Sequence, residues 1–197
     1  MFTGIIEEVG TLKEIKKDRK NLILSISVSF LKELKINQSI AHNGVCLTVV
    51  DLNSDDYTVC VINETIKKTN IKLFKKGDLI NLERCLSFGD RIDGHFVQGH
   101  IDCVVKCVNV TDDGGSWMFK FKYLKEYENY LIHKGSITLN GVSLTISNIN
   151  YSEKNFEIAI IPYTFNHTNF KFLQEGNYVN AEFDIINKQI ERLNQGK

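Results

Sequence analysis

The chain has a single proline in 197 residues, no net charge and no long block of like charge. With 24 basic against 24 acidic residues, it carries no electrostatic footprint for nucleic acid or an anionic membrane as its main partner. No continuous apolar run reaches membrane-spanning length, and Glu7 and Glu8 come too early for a signal peptide, so a cytosolic protein is expected. The five cysteines, Cys46, Cys60, Cys85, Cys103 and Cys107, include no CxxC pair. Their odd count fits reduced thiols better than a disulfide framework. His95, His100, Cys103 and Cys107 are close enough in sequence to suggest zinc. However, "GHIDCVVKCV" alternates as a strand does, which would put His100 and Cys103 on opposite faces and argues against a metal site. The lone proline, Pro162, is read as composition rather than function.

What the chain does have is the same phrase twice. "NGVCLTVVDLN", from Asn43, and "NGVSLTISNIN", from Asn140, share six identities in eleven positions, an internal duplication. It extends outward in both directions. Ser39 pairs with Ser136, Thr65 with Thr164, Gly77 with Gly176, Glu83 with Glu182, and "FTGIIE" answers "VQGHID", pairing Gly4 with Gly99. Two copies fill nearly the whole chain, each about as long as a compact domain. The segment "CLSFGDRIDGHFVQGH", punctuated by glycines, joins them and sets domains at 1–94 and 95–184, with a tail at 185–197.

The elements are mostly strands. "LILSISVSF" alternates Leu24, Ile26, Val28 and Phe30 against serines, and "WMFKFKY" alternates Trp117, Phe119, Phe121 and Tyr123 against Met118 and lysines. Both read as half-buried strands whose apolar stripe is core. Several such runs, separated by turns, indicate an antiparallel barrel or sandwich in each half. "SFLKELK" and "EYENYLIHK" are expected as short helices at matching places. In the tail, Ile186, Ile190 and Leu193 fall on one face of a helix ending near Gly196, too short to stand alone and therefore expected to dock. Asn43-Gly44 and Asn140-Gly141 are either tight turns or part of a polar ligand surface, and Thr48, Thr145, Thr65 and Thr164 recur at the same register in both copies.

"MFTGIIEEVG", "SIAHNGVCLTV", "NETIKKTN", "GDRIDGHFVQGHID" and "KGSITLNGVSLTI", in this order inside a duplicated frame, resemble the riboflavin synthase family of alpha type, with tandem lumazine-binding domains. The resemblance runs from Met1 to about Asp184. It implies an all-β fold of two tandem six-stranded antiparallel Greek-key barrels with short helices, plus a C-terminal α-helix that assembles homotrimers. It also implies transfer of a four-carbon unit between two molecules of 6,7-dimethyl-8-ribityllumazine, giving riboflavin and 5-amino-6-(D-ribitylamino)uracil, with neither metal nor organic cofactor. The reaction site would lie between the first barrel of one subunit and the second barrel of the next. Lumazine synthase is a candidate partner.

The family pattern assigns to the first barrel Gly4, Ile5 and Ile6, then Cys46, Leu47 and Thr48, then Cys60, Val61, Ile62, Asn63, Glu64 and Thr65. To the second it assigns Gly99, His100 and Ile101, Lys134, Ser143, Leu144 and Thr145, and Ala159, Ile160, Ile161, Pro162, Tyr163 and Thr164. Ser39, Cys46, His100 and Asp184 match positions that affect catalysis in the family. Two identical substrates need an asymmetric site, and the mismatches Cys46/Ser143, His100/Ile5 and His42/Leu139 supply one. Cys46 and His100 are the residues expected to impose it, and a histidine there suits proton transfer near neutral pH. Tyr163 and Phe165 depart from the pattern. The competing functions are a non-catalytic lumazine- or flavin-binding antenna protein of the same fold, which tends to lose the second cradle, and a generic tandem barrel for another small molecule.

Overall fold

The computed structural model describes residues 1–195, so the expected helix stop at Gly196 lies outside the described residues. Alternating apolar and polar side chains produce twelve strands in two groups of six. The first group is β1 (Glu8–Asp18), β2 (Asn21–Ser27), β3 (Ser39–His42), β4 (Val45–Leu52), β5 (Tyr57–Val61) and β6 (Leu79–Arg84). The second is β7 (Cys103–Asp112), β8 (Trp117–Lys122), β9 (Ser136–Leu139), β10 (Val142–Asn150), β11 (Asn155–Ile160) and β12 (Tyr178–Phe183). Each group closes into an antiparallel barrel, β1-β2-β5-β4-β3-β6 and its equivalent β7-β8-β11-β10-β9-β12. Closure removes the free edges that an open sheet would expose.

The duplication is written in the backbone as well as in the letters. Register shifts at Leu12/Glu14 and Val49/Asp51 recur at Cys107/Asn109 and Ile146/Asn148. The stripes expected to be core are core: Leu24, Ile26 and Phe30 pack inside the first barrel, and Phe119, Phe121 and Tyr123 inside the second. "SFLKELK" and "EYENYLIHK" form single 3-10 segments, Ser29–Glu33 and Lys125–Tyr130. Two further helices, α1 (Asn63–Lys68) and α2 (Pro162–His167), form in the phrases "NETIKK" and "PYTFNH", where no helix is expected from the sequence analysis. The strand expected over "GHIDCVVKCV" starts only at Cys103, so His100 lies before it on a connecting segment.

The third helix, α3 (Ile185–Gln195), is docked by its polar side. Lys188 Nζ donates to both carboxylate oxygens of Asp102, at 3.0 and 3.1 Å, and Asn129 Nδ2 donates to Glu191 Oε1 at 2.8 Å. Its apolar stripe, Ile186, Ile190 and Leu193, is left exposed. No helix of the described residues is long and apolar enough to cross a membrane.

The barrels meet across a pseudo-twofold axis built from asparagines. Asn81 Nδ2 donates to the Asn140 carbonyl and Asn180 Nδ2 to the Asn43 carbonyl, both at 2.9 Å. The Asn169 and Asn70 amides donate to Asn81 Oδ1 and Asn180 Oδ1, both at 2.7 Å. Asn43-Gly44 and Asn140-Gly141 are the tight turns that the dipeptide suggests, with positive φ at all four residues. A Cβ on Gly44 would lie 2.8 Å from the Gly141 nitrogen, so only glycine lets the two turns touch. The two asparagines are junction residues rather than ligand contacts: Asn43 Oδ1 accepts from the Asn81 amide at 2.8 Å and from Asn169 Nδ2 at 2.9 Å.

Candidate functional site

Two segments without regular structure, residues 2–6 and 97–101, run side by side along the same axis, joined by reciprocal bonds between Phe2 and Val97 at 2.8 and 3.0 Å. Each then crosses to the barrel of the other half. The Cys46 amide on β4 donates to the Gly99 carbonyl at 2.9 Å, and the Ser143 amide on β10 donates to the Gly4 carbonyl at 2.7 Å. Ile101 packs on the first barrel's core and Ile6 on the second's. This corrects the sequence assignment: Gly99, His100 and Ile101 complete the first cradle, and Gly4, Ile5 and Ile6 the second. Glycine is required at both crossings, since a Cβ on Gly99 would fall 2.5 Å from Cys46 Cβ and one on Gly4 would fall 2.7 Å from Ser143 Cβ.

The first cradle gathers Cys46, Glu64, Thr65, Gly99, His100 and Ile101 around a cavity of about 180 Å³. Strand β5 ends at Val61 and α1 begins two residues later, which lifts Glu64 and Thr65 to its rim. Glu64 pairs with Lys68 at 3.0 Å, one helical turn on, and this bond holds its carboxyl below the usual carboxylate range. Burial pushes the Cys46 thiol up; a hydrogen bond with the Ser39 side chain opposes this. Cys46 is therefore a neutral thiol near neutral pH, not a ready nucleophile. Ser39 belongs to the same wall.

The second cradle holds a cluster that the sequence reading missed. His95 Nδ1 lies 2.7 Å from Ser143 Oγ, and His95 Nε2 lies 3.1 Å from Thr138 Oγ1. Burial pushes the imidazole's pKa down, with the negative charge of Asp184 acting against it. Asp184 thus stands beside this cluster, where it also accepts from the Ile186 amide at 2.9 Å to start α3. In the first copy the counterparts of Ser143, Thr138 and Asp184 are Cys46, Ala41 and Cys85. The polar set is confined to one cradle, so the asymmetry is larger than the three mismatches seen in sequence. His42, offered as one of those three, is not in the cradle: it is fully buried against Tyr57 in the first barrel.

The remaining assigned residues divide by exposure. Leu47, Leu144, Val61 and Ile160 point into the cores, so only their main chain can meet a ligand. Thr48, Thr145, Ile62, Ala159, Ile161, Pro162 and Tyr163 are exposed, while Cys60, Asn63, Thr65 and Thr164 are half-buried. Lys134 is exposed in a left-handed turn, φ 65°, and lines none of the hollows described here. Phe165, a departure from the family pattern, stacks on Trp117 with ring centroids 3.7 Å apart. Larger hollows lie elsewhere. One of about 450 Å³ follows the asparagine junction between Leu73 and Phe172, and holds none of the residues assigned to a ligand. Another, of about 570 Å³, lies between the 3–7 segment and the linker at residues 85–93, with only Ile5 from the cradle in its wall.

The lumazine binding domain model matches residues 3–85 and again residues 98–184. The chain belongs to the lumazine-binding domain family. Curated relatives in this family include the riboflavin synthase of Bacillus subtilis, 39% identical over 98% of this chain and 89% of that protein. The riboflavin synthase of Actinobacillus pleuropneumoniae is 38% identical with the same coverage. That of Saccharomyces cerevisiae is 36% identical over 98% of this chain and 85% of that protein. Among solved structures, LumP complexed with 6,7-dimethyl-8-(1'-D-ribityl) lumazine superposes with a TM-score of 0.84 at 25% identity, covering 93% of this chain and 99% of that one. LumP complexed with riboflavin gives 0.86.

Proposed function

We infer that the chain is a riboflavin synthase, converting two molecules of 6,7-dimethyl-8-ribityllumazine into riboflavin and 5-amino-6-(D-ribitylamino)uracil by moving a four-carbon unit from one to the other. The observation that carries the reading is the pair of equivalent cradles, each built from the same repeated phrase, in a chain similar over almost its full length to riboflavin synthases. A reaction between two copies of one molecule calls for two copies of one binding surface. Holding both in reacting geometry lowers a bimolecular barrier by roughly 7–11 kcal/mol when alignment is good.

The residues divide the work as follows. Main-chain groups of β4 and β10, with Thr65 and Thr164, meet the donors and acceptors of the flat ring. Glu64 and Lys134 meet ribityl hydroxyls. The chemical step begins with loss of a proton from the C7 methyl group of one lumazine, leaving a carbanion delocalised into the ring. His100 exchanges that proton in this reading, which its exposed position at the rim of the first cradle supports. Cys46, a neutral thiol there, and the His95, Ser143 and Asp184 cluster opposite make the two cradles chemically unequal, which decides donor and acceptor.

The first cavity, about 180 Å³, is smaller than the roughly 300–1,000 Å³ of a closed ligand site, so each cradle is an open half. A second copy of the chain closes it in this reading. The exposed stripe Ile186, Ile190 and Leu193 on α3, with Ile5, Ile62 and Ile161 exposed around the cradles, supports a homotrimer that brings the first cradle of one subunit against the second of its neighbour. Free cysteines at all five positions fit a cytosolic setting. The test is to incubate the purified chain with 6,7-dimethyl-8-ribityllumazine and follow riboflavin by absorbance and chromatography. One riboflavin for every two lumazines consumed is the expected result. Lumazine bound at one per chain and left unchanged would instead make the protein an antenna-type binder.

A further inference from the structure

Two buried carboxylates stand at the roots of the crossing segments and have no part in the chemistry just described. Glu182, on β12 of the second barrel, accepts from the Gln98 amide through Oε1 at 2.7 Å, and from the Gly99 and His100 amides through Oε2, both at 2.9 Å. Glu83, its counterpart on β6, accepts from the Thr3 amide at 2.6 Å and the Thr3 hydroxyl at 2.9 Å through Oε1, and from the Gly4 amide at 3.0 Å through Oε2. Both are almost fully buried, and every bond goes to the segment that leaves for the opposite barrel. Three donors converging on one carboxylate are a rigid clamp, because bonds to a charged acceptor are short and strong. The clamped glycines are the ones that reach across: the Gly99 carbonyl accepts from the Cys46 amide and the Gly4 carbonyl from the Ser143 amide.

We propose that Glu182 and Glu83 are positioning residues acting across the barrel junction. Glu182 of the second barrel sets the height of His100 over the first cradle, and Glu83 of the first barrel sets Gly4 and Ile5 over the second. This deepens the riboflavin synthase reading and rests on it. Its distinctive consequence is crossed: damage in one barrel is felt in the other barrel's cradle.

The amides of Cys46 and Ser143 report the two crossings directly, since each donates to the carbonyl of a clamped glycine. In the ¹⁵N-labelled full-length chain, Glu182→Gln replaces one acceptor oxygen with an NH₂ that faces backbone donors. It is expected to move the Cys46 amide resonance and leave that of Ser143 in place, and Glu83→Gln is expected to do the reverse. Titration with riboflavin, which is not turned over, should then show affinity falling at least tenfold in the cradle reported by Cys46 for E182Q, with the other cradle unchanged. If E182Q does not fold, Glu182→Asp, which keeps the charge on a shorter stem, should give the same crossed pattern in weaker form. Shifts confined to the variant's own barrel, or spread equally over both, would overturn the proposal. Crossed shifts in a chain that makes no riboflavin from lumazine would uphold the clamp and overturn the enzyme reading alone.

Discussion

Tyr57 Oη donates a 2.8 Å hydrogen bond to Nε2 of His42 inside the first barrel. The direction follows from the other nitrogen: Nδ1 lies 3.0 Å from the Ile40 carbonyl, which can only accept, so Nδ1 carries the proton. Burial drives the imidazole's pKa down to about 4.

In the unfolded chain the same histidine titrates near 6.5. Between about 6.5 and about 4 the unfolded state therefore binds the extra proton, so His42 is expected to withdraw stability as the pH falls through that window and to leave it whole above it. Urea unfolding midpoints at pH 7 and pH 5 check the sign. At pH 7, Tyr57→Phe leaves Nε2 buried without a donor and is expected to cost about 1–3 kcal/mol.

Asn81 holds the barrels together through three bonds, Nδ2 to the Asn140 carbonyl and Asn169 Oδ1, and Oδ1 from the Asn169 amide. Asn81→Ala strands groups in the other barrel and is expected to cost about 2–4 kcal/mol. It should also split the unfolding transition. Trp117, the single tryptophan, sits in the second barrel, so its fluorescence and the far-ultraviolet signal of the whole chain should cease to coincide.

Gly99 has φ +83° and no room for a Cβ beside Cys46. Gly99→Ala should lift the segment that carries His100 and lower the rate of riboflavin formation at least tenfold, measured as initial velocity. Gly89→Ala is the control. Its φ of +96° carries a similar local strain, but nothing lies within 4 Å of the added atom, so the rate should stay within twofold.

Ile190→Glu places a charge on the exposed stripe of α3 while leaving the Lys188–Asp102 pair intact. Sedimentation should show the trimer proposed above giving way to monomer at micromolar concentration, with riboflavin formation lost in parallel and the circular dichroism of the barrels retained.

Cys46→Ser removes the Cys46/Ser143 mismatch between the repeated phrases, and His100→Ile removes the His100/Ile5 mismatch between the crossing segments. The double variant is expected to lose at least tenfold in rate. Equal activity would remove these two residues from the decision between donor and acceptor.

The barrels, the core stripes and the duplication were legible because each is a pattern within a short window or a repeat at fixed offset. The crossing was not. Aligning Gly4 with Gly99 gives the same letters whether each segment leans on its own barrel or on the other, and only the 2.7 and 2.9 Å bonds to Ser143 and Cys46 decide it. Asn43 was ambiguous for a related reason: its partner Asn169 is 126 positions away, while the turn that it also forms is local. His95 escaped because the 95-residue offset leaves it no counterpart in the first copy. The usable signal was a histidine beside glycine just ahead of the second repeat.

The reciprocal lending of residues 2–6 and 97–101 has the form of two single-barrel chains that exchange amino-terminal arms around a twofold. The linker turns that dimer into one molecule. Fusion raises the effective concentration of one barrel around the other to about the millimolar range, whatever the dilution of the protein. It also frees the two arms to diverge, since a true dimer would carry the same residue at His100 and Ile5, and one chain need not.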